Sequence, residues 1–171
     1  MSIFKRLLRR REHTELRPLW HSTVATSREE DWYLDCLVED TLDGRFDMIS
    51  LVLSLVLLRM EQSERLGPKT GQLTELFIAD MDRQLRDSGV GDLRVGKNMG
   101  KLMSALGGRL GSLRSALANP EDAELAEVLA RNMRLTDEDS PPLALAARAR
   151  ALNTDLAEVS DDALLAGTLR P

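Results

Sequence analysis

The chain predicts an all-α domain: a compact multi-helix core with a central buried helix and a helical C-terminal tail. Three observations carry that prediction. Leu and Ala dominate and aromatic residues make up only 4% of 171 residues; Leu and Ala favour helices, whereas strands favour β-branched and aromatic side chains. Apolar residues recur at three- and four-residue spacing through most of the chain, the period of a helix with one buried face. Glycine and proline punctuate that pattern at Gly67-Pro68, Gly89 and Asn119-Pro120, which separate one helix from the next. The organisation expected is a basic amphipathic segment over 1–12, a helical core over 13–118, and an acidic helical extension over 119–171 packed on it.

The net charge of −5 is unevenly spread. Lys5, Arg6, Arg9, Arg10 and Arg11 stand together without an acid, and without those five charges the remainder carries −10. Leu93 to Pro120 is again purely basic, whereas Asn119 to Pro171 holds eleven acids and five bases. Halves of opposite sign either neutralise each other or address different partners. Cys36 is the sole cysteine, so no internal disulfide forms and a reducing compartment is the default. The longest apolar run, Met48 to Leu58, contains two serines. It falls well short of the ~20 residues of a spanning helix and reads as a buried core helix. Met1 to Arg11 lacks the apolar stretch of a secretory signal.

Residues 2–11 form a short amphipathic helix in this reading, with Ile3, Phe4, Leu7 and Leu8 on one side. Two readings stand for it: attachment to an anionic surface, lipid headgroups or ribosomal RNA, and a solvated terminus. A helix over Thr14–Arg28 points Leu16, Leu19, Trp20 and Val24 inward, with Pro18 placed in its first turn. Glu29–Glu39 is less regular, and Trp32, Tyr33, Leu37 and Val38 anchor it. The central helix starts at Asp40 or Thr41, either of which caps it. It is apolar nearly all round, as a helix surrounded by others is. The next helix runs from Thr70 to Ser88. Its stripe of Leu73, Leu76, Phe77, Met81 and Leu85 includes Asp80, and a carboxylate on an apolar face requires a cation. Arg45, Lys97 and Arg109 are the candidates, and a structural ion pair outweighs a general acid or base. No nucleophile or second carboxylate converges on Asp80.

A long helix, Leu93–Ala118, follows. Val95, Met99, Leu102, Leu106, Leu110, Leu113 and Leu117 line one face. Gly100, Ser104, Gly107, Gly108, Gly111 and Ser115 line the other. A seam of small residues admits a second backbone closely. Packing inside the domain is the plainer explanation, and a client helix the alternative. The tail reads as two or three short helices starting at Asn119-Pro120, Ser140-Pro141 and Ser160-Asp161.

Catalytic and metal motifs fail on inspection. Gly91 to Lys97 has the spacing of a phosphate-binding P-loop, yet Asn98 replaces the metal-holding hydroxyl and a helical pattern precedes the motif instead of a strand. His13 and His21, both near the start, supply no Ser/His/Asp arrangement, and with one cysteine they make no zinc set. Acidic neighbours raise the thiol pKa of Cys36, leaving it inert. No catalytic residue, cofactor or metal is expected.

Three blocks carry a specific resemblance: Asp40-Thr41-Leu42-Asp43-Gly44-Arg45-Phe46-Asp47-Met48, Phe77-Ile78-Ala79-Asp80-Met81-Asp82-Arg83-Gln84-Leu85-Arg86, and Gly89-Val90-Gly91-Asp92-Leu93-Arg94-Val95-Gly96-Lys97. In this order they resemble the ubiquinol–cytochrome c chaperone family, bacterial relatives of a mitochondrial complex III assembly factor. The resemblance spans roughly Trp20 to Arg134, with a fainter echo over Ala163–Pro171. Val52 stands where the family often has a histidine, and Gly107 where an aromatic residue is common. The resemblance implies a non-enzymatic chaperone that handles newly made cytochrome b or another complex III subunit, near the ribosome and beside a small partner protein. It implies a cytoplasmic location, peripheral on the inner membrane; residues 1–11 are the expected membrane contact, and no DNA partner is expected. A general membrane- or ribosome-associated adaptor is the alternative. Asp80 with Arg45 or Lys97, all within the blocks, locks helices together, and Arg83, Arg86 and Lys97 with Lys101 beyond them form a basic contact face for the partner.

Overall fold

The structure, a computed structural model, describes residues 14–87 and 92–171, and leaves aside the side chains at 85, 92–99, 101 and 102. The expected N-terminal amphipathic helix and the glycine turn at 89–91 lie outside the described residues. The helices are α1 (Arg17–Ser27), α2 (Asp31–Leu34), α3 (Leu42–Glu61), α4 (Thr70–Asp87), α5 (Asp92–Ala118), α6 (Asp122–Asn132), α7 (Leu143–Glu158) and α8 (Asp161–Leu165), with a 3₁₀ turn at Gly67–Lys69 before α4. The fold is all-α. Among the described residues the nearest thing to a strand is one antiparallel bridge, Val38 with Leu135.

α3 is the hub. It packs against α1, α4, α5 and α7, which is why every residue from Met48 to Leu58 is buried. Its two buried serines are satisfied within the helix: Ser50 Oγ donates to the Phe46 carbonyl and Ser54 Oγ to that of Ser50, the usual resort of a hydroxyl in an apolar helix. Thr41 caps the start, accepting from Gly44 N at 3.1 Å. Trp20 of α1 meets Phe77 of α4 edge to face, centroids 6.1 Å apart, an arrangement the ring quadrupoles favour. Val52 is fully buried among these helices, in an environment that suits an aliphatic side chain.

The connector between α1 and α3 is anchored as expected at three of its four positions. Trp32 is fully buried and its Nε1 donates to the Thr26 carbonyl at 2.7 Å. The Tyr33 hydroxyl donates to the Ser27 carbonyl. Val38 is buried in the bridge to Leu135. Leu37 is the correction: it is 46% exposed, with φ at +58°. Alternation across the bridge sends Val38 inward and its neighbour outward.

Two of the three tail helix starts also differ from expectation. Asn119 Oδ1 accepts from Glu121 N, closing a turn ahead of α6 instead of capping it, and α6 begins at Asp122 after an extended Glu121. Ser140 does not cap α7, which begins at Leu143 behind Pro142. A proline disfavours helical geometry in the residue before it, so Pro142 keeps Pro141 out of α7, whereas α6 waits on Glu121, which is extended at ψ 137°. Ser160 does cap α8, accepting from Ala163 N.

Candidate partner-binding surface

Asp80 finds its cation within its own helix. Arg83 Nη2 lies 2.8 Å from Asp80 Oδ1, and Gln84 Nε2 reaches the other oxygen at 3.4 Å. The proposed partner Arg45 instead pairs with Asp40, and the Lys97 side chain lies outside the described residues. The Asp80 side chain is 22% exposed, so it sits at the edge of the buried stripe. A cation three residues away reaches it without spanning a helix interface. The double-mutant cycle of Asp80→Asn with Arg83→Gln therefore gives a coupling of about 0.5 kcal/mol. A value of ~3 kcal/mol in urea unfolding would show that the pair behaves as a buried ion pair and not as one at the edge of the stripe.

Of the expected basic face, Arg83 is held by Asp80 and Arg86 by Asp82 at 2.9 Å. The Lys97 and Lys101 side chains lie outside the described residues. The small-residue face of α5 is a further correction. Gly100, Ser104, Gly107, Gly108, Gly111 and Ser115 are all exposed. A Cβ placed on any of the four glycines meets nothing within 4 Å. The helix turns Leu106, Leu113 and Ala116 into the core and leaves the seam uncovered by the described residues, so packing among them does not explain it.

Among the described residues the buried cation is Arg109, 5% exposed. It falls on the leucine stripe of α5 and joins three helices. Nη1 donates to the Asp47 carbonyl of α3, and Nη2 to the Asp47 carboxylate and, at 2.5 Å, to the Asn132 carbonyl ending α6. Burial pulls its pKa below the usual arginine value, opposed by the Asp47 charge. Arg134 completes the cluster, its Nη1 2.8 Å from the same Asp47 carboxylate. The sequence offers Arg109 as a cation for Asp80, and the structure gives it to Asp47 instead. The signal that it needs a partner of its own is its place between Leu106 and Leu113.

Further polar side chains hold the acidic tail in place. Arg59 on α3 donates to the Leu156 and Val159 carbonyls and to Asp161, while Ser63 Oγ donates to the other oxygen of Asp161. These bonds, the Ser63 hydroxyl foremost, hold the Asp161 carboxyl below its ordinary pKa. Arg148 and Arg170 both pair with Glu29, and the Arg148 guanidinium lies 4.7 Å from the Trp32 ring centroid, a cation–π contact. Cys36 is buried; burial foremost, with Asp35 and Asp31, pushes its thiol pKa up against the pull of Arg148. The P-loop spacing is carried largely by helix, because α5 begins at Asp92 and α4, not a strand, precedes it. No group of three or more metal-ligating side chains converges among the described residues.

Fold and surface together define an all-helical domain in which several arginines tie one helix to another, Arg59 to Asp161, Arg109 to Asp47, Arg114 to Glu61 and Arg150 to Asp122 among them. The sequence model of the ubiquinol–cytochrome c chaperone family matches residues 34–171, further toward the C terminus than the three blocks reach. The crystal structure of the Cbp3 homolog from Brucella abortus matches with a TM-score of 0.78 at 32% identity, over 96% of this chain and 94% of that one. No curated protein matches. The chain belongs to the ubiquinol–cytochrome c chaperone family.

Proposed function

We propose that this protein is a non-enzymatic assembly chaperone for ubiquinol–cytochrome c reductase, complex III, and that newly made cytochrome b is the client it holds. The observation that carries this reading is family membership over residues 34–171, supported by the likeness to the Cbp3 homolog along nearly the whole chain. A chaperone needs an accessible binding face more than a reaction centre. The exposed glycine–serine face of α5 offers a client helix close approach, and small residues are what helix pairs use for it. The charged face of Arg83, Arg86, Lys97 and Lys101 is the proposed contact beside it. Among the described residues no helix is long and apolar enough to cross a membrane, which accords with a peripheral position on the cytoplasmic face of the inner membrane.

Deleting the gene and recording reduced-minus-oxidised haem spectra of membranes tests the proposal. The b- and c-type signals of complex III are expected to fall, and to return with the wild-type gene. The Arg83→Glu/Lys101→Glu variant is expected to restore them poorly. Normal haem signals in the deletion strain would overturn the proposed client, and full rescue by the variant would remove the basic face.

A further inference from the structure

Leucine is seldom held in the left-handed region, because its Cβ crowds the backbone there. Among the described residues Leu37 is the non-glycine residue that adopts it, at φ +58°. The surrounding structure enforces it: the Leu37 carbonyl accepts from Thr136 N at 2.9 Å and from Thr136 Oγ1 at 3.2 Å, and the Val38–Leu135 bridge follows directly. This strain does not bury the side chain, which stays 46% exposed. Leu37 and Leu143 line a cavity of about 80 Å³ beside Cys36. Leu143 is 53% exposed, and Leu34, one residue before the lining, is 70% exposed. A cavity of ~150 Å³ admits benzene, so this one suits a single aliphatic side chain.

Among the described residues the charged side chains that line the cavity are acidic, Asp35 and Asp137. Glu138 and Asp139 are exposed on the same loop. The nearby cations are engaged elsewhere: Arg148 by Glu29 and Asp31, and Arg134 by Asp47 and Asp43. Asp137 keeps its charge, its carboxyl held below the ordinary value by the Ser140 hydroxyl and the Asp139 backbone. An anionic lipid surface would be repelled. A cationic partner would be drawn in, and opposite potentials are how docking faces select a partner.

We infer that this leucine-lined, acid-rimmed cavity docks a protein segment presenting an aliphatic side chain next to lysine or arginine. The inference goes beyond the complex III reading and stands independently of it, because the docking depends on the chemistry of the segment and not on the identity of the client.

The test uses the full chain with ¹³C-labelled leucine methyl groups. The probe is a nine-residue peptide with a Leu-Val-Leu centre and three lysines on each side. A peptide with glutamates in place of the lysines is the control. Saturable shifts of the Leu37 and Leu143 methyls are expected with the lysine peptide alone, weakening as salt rises. Leu143→Asp should weaken binding at least ~10-fold. That variant is safe for the fold, since Leu143 is exposed at the first position of α7, where a carboxylate suits the helix dipole. Asp35→Lys with Glu138→Lys should do the same. Equal binding of both peptides, or no saturable shift at these methyls, would overturn the inference. So would a shift of the same methyls on removing residues 1–11, which would make this chain's own basic terminus the occupant.

Discussion

Replacing Gly44 with alanine is expected to destabilise the protein by about 3 kcal/mol, far more than a surface substitution. Gly44 lies in the first turn of α3, buried, with its N–H on the Thr41 hydroxyl. A Cβ there runs into the backbone carbonyl of Glu39. Glu39 cannot simply withdraw, because its N–H is bonded to the Arg134 carbonyl at 3.0 Å beside the Val38–Leu135 bridge. Either the start of α3 shifts or the bridge opens. Alanine gains up to ~1 kcal/mol in helix propensity over glycine, which is too little to offset a clash with pinned backbone. In a chain of this length the expected fall in Tm is roughly 6–12 °C. Urea unfolding of the variant beside Thr41→Ala, which loses only a cap worth ~1 kcal/mol, separates the two effects. Equal midpoints would show that the close approach carries no weight.

Arg109→Met should cost about as much, roughly 3 kcal/mol. Methionine matches the length of the stem and packs against the leucines of α5, so the loss isolates the guanidinium. The Asn132 carbonyl loses its Arg109 donor, the Asp47 carbonyl keeps only its helical bond, and the Asp47 carboxylate loses one of its two cations. Leaving buried polar groups unpaired is the expensive outcome. Arg134 still reaches Asp47, which keeps the cost at the lower end of the range for broken buried pairs. Arg109→Lys should rescue little, since a single ammonium cannot serve three acceptors that a planar fork reaches together. A thermal melt of Arg109→Lys indistinguishable from wild type would show that charge alone holds the junction.

Much of the fold was legible because composition and period suffice for it. The central helix declares itself by being apolar on every side, and α3 is surrounded by four other helices. What one face touches is less legible. The glycine–serine face of α5 reads equally as a seam for a neighbour inside the domain and as bare surface, and the structure leaves it bare. Asp80 lies on the buried stripe by its angle alone, yet the edge of the stripe admits solvent and Arg83 settles the charge locally. The prolines at 120, 141 and 142 signal helix starts in the sequence, yet α6 waits for an extended Glu121 and α7 starts only behind the second proline of its pair.

By itself the sequence determined the helices, their buried sides, the central place of α3 and the family, because these follow from short-range spacing and from blocks of contiguous residues. The tertiary structure alone decided the partners of the charges and the exposure of Leu37. Arg109 meets Asp47 across 62 residues, Arg59 meets Asp161 across 102, and Arg170 meets Glu29 across 141. Nothing in the local pattern distinguishes those acids from others nearby, for an ion pair is chosen by which helices pack together and how they are turned. The left-handed Leu37 likewise follows from a bridge to a segment nearly a hundred residues away, whose hydrogen bonds outweigh the local preference of the leucine backbone.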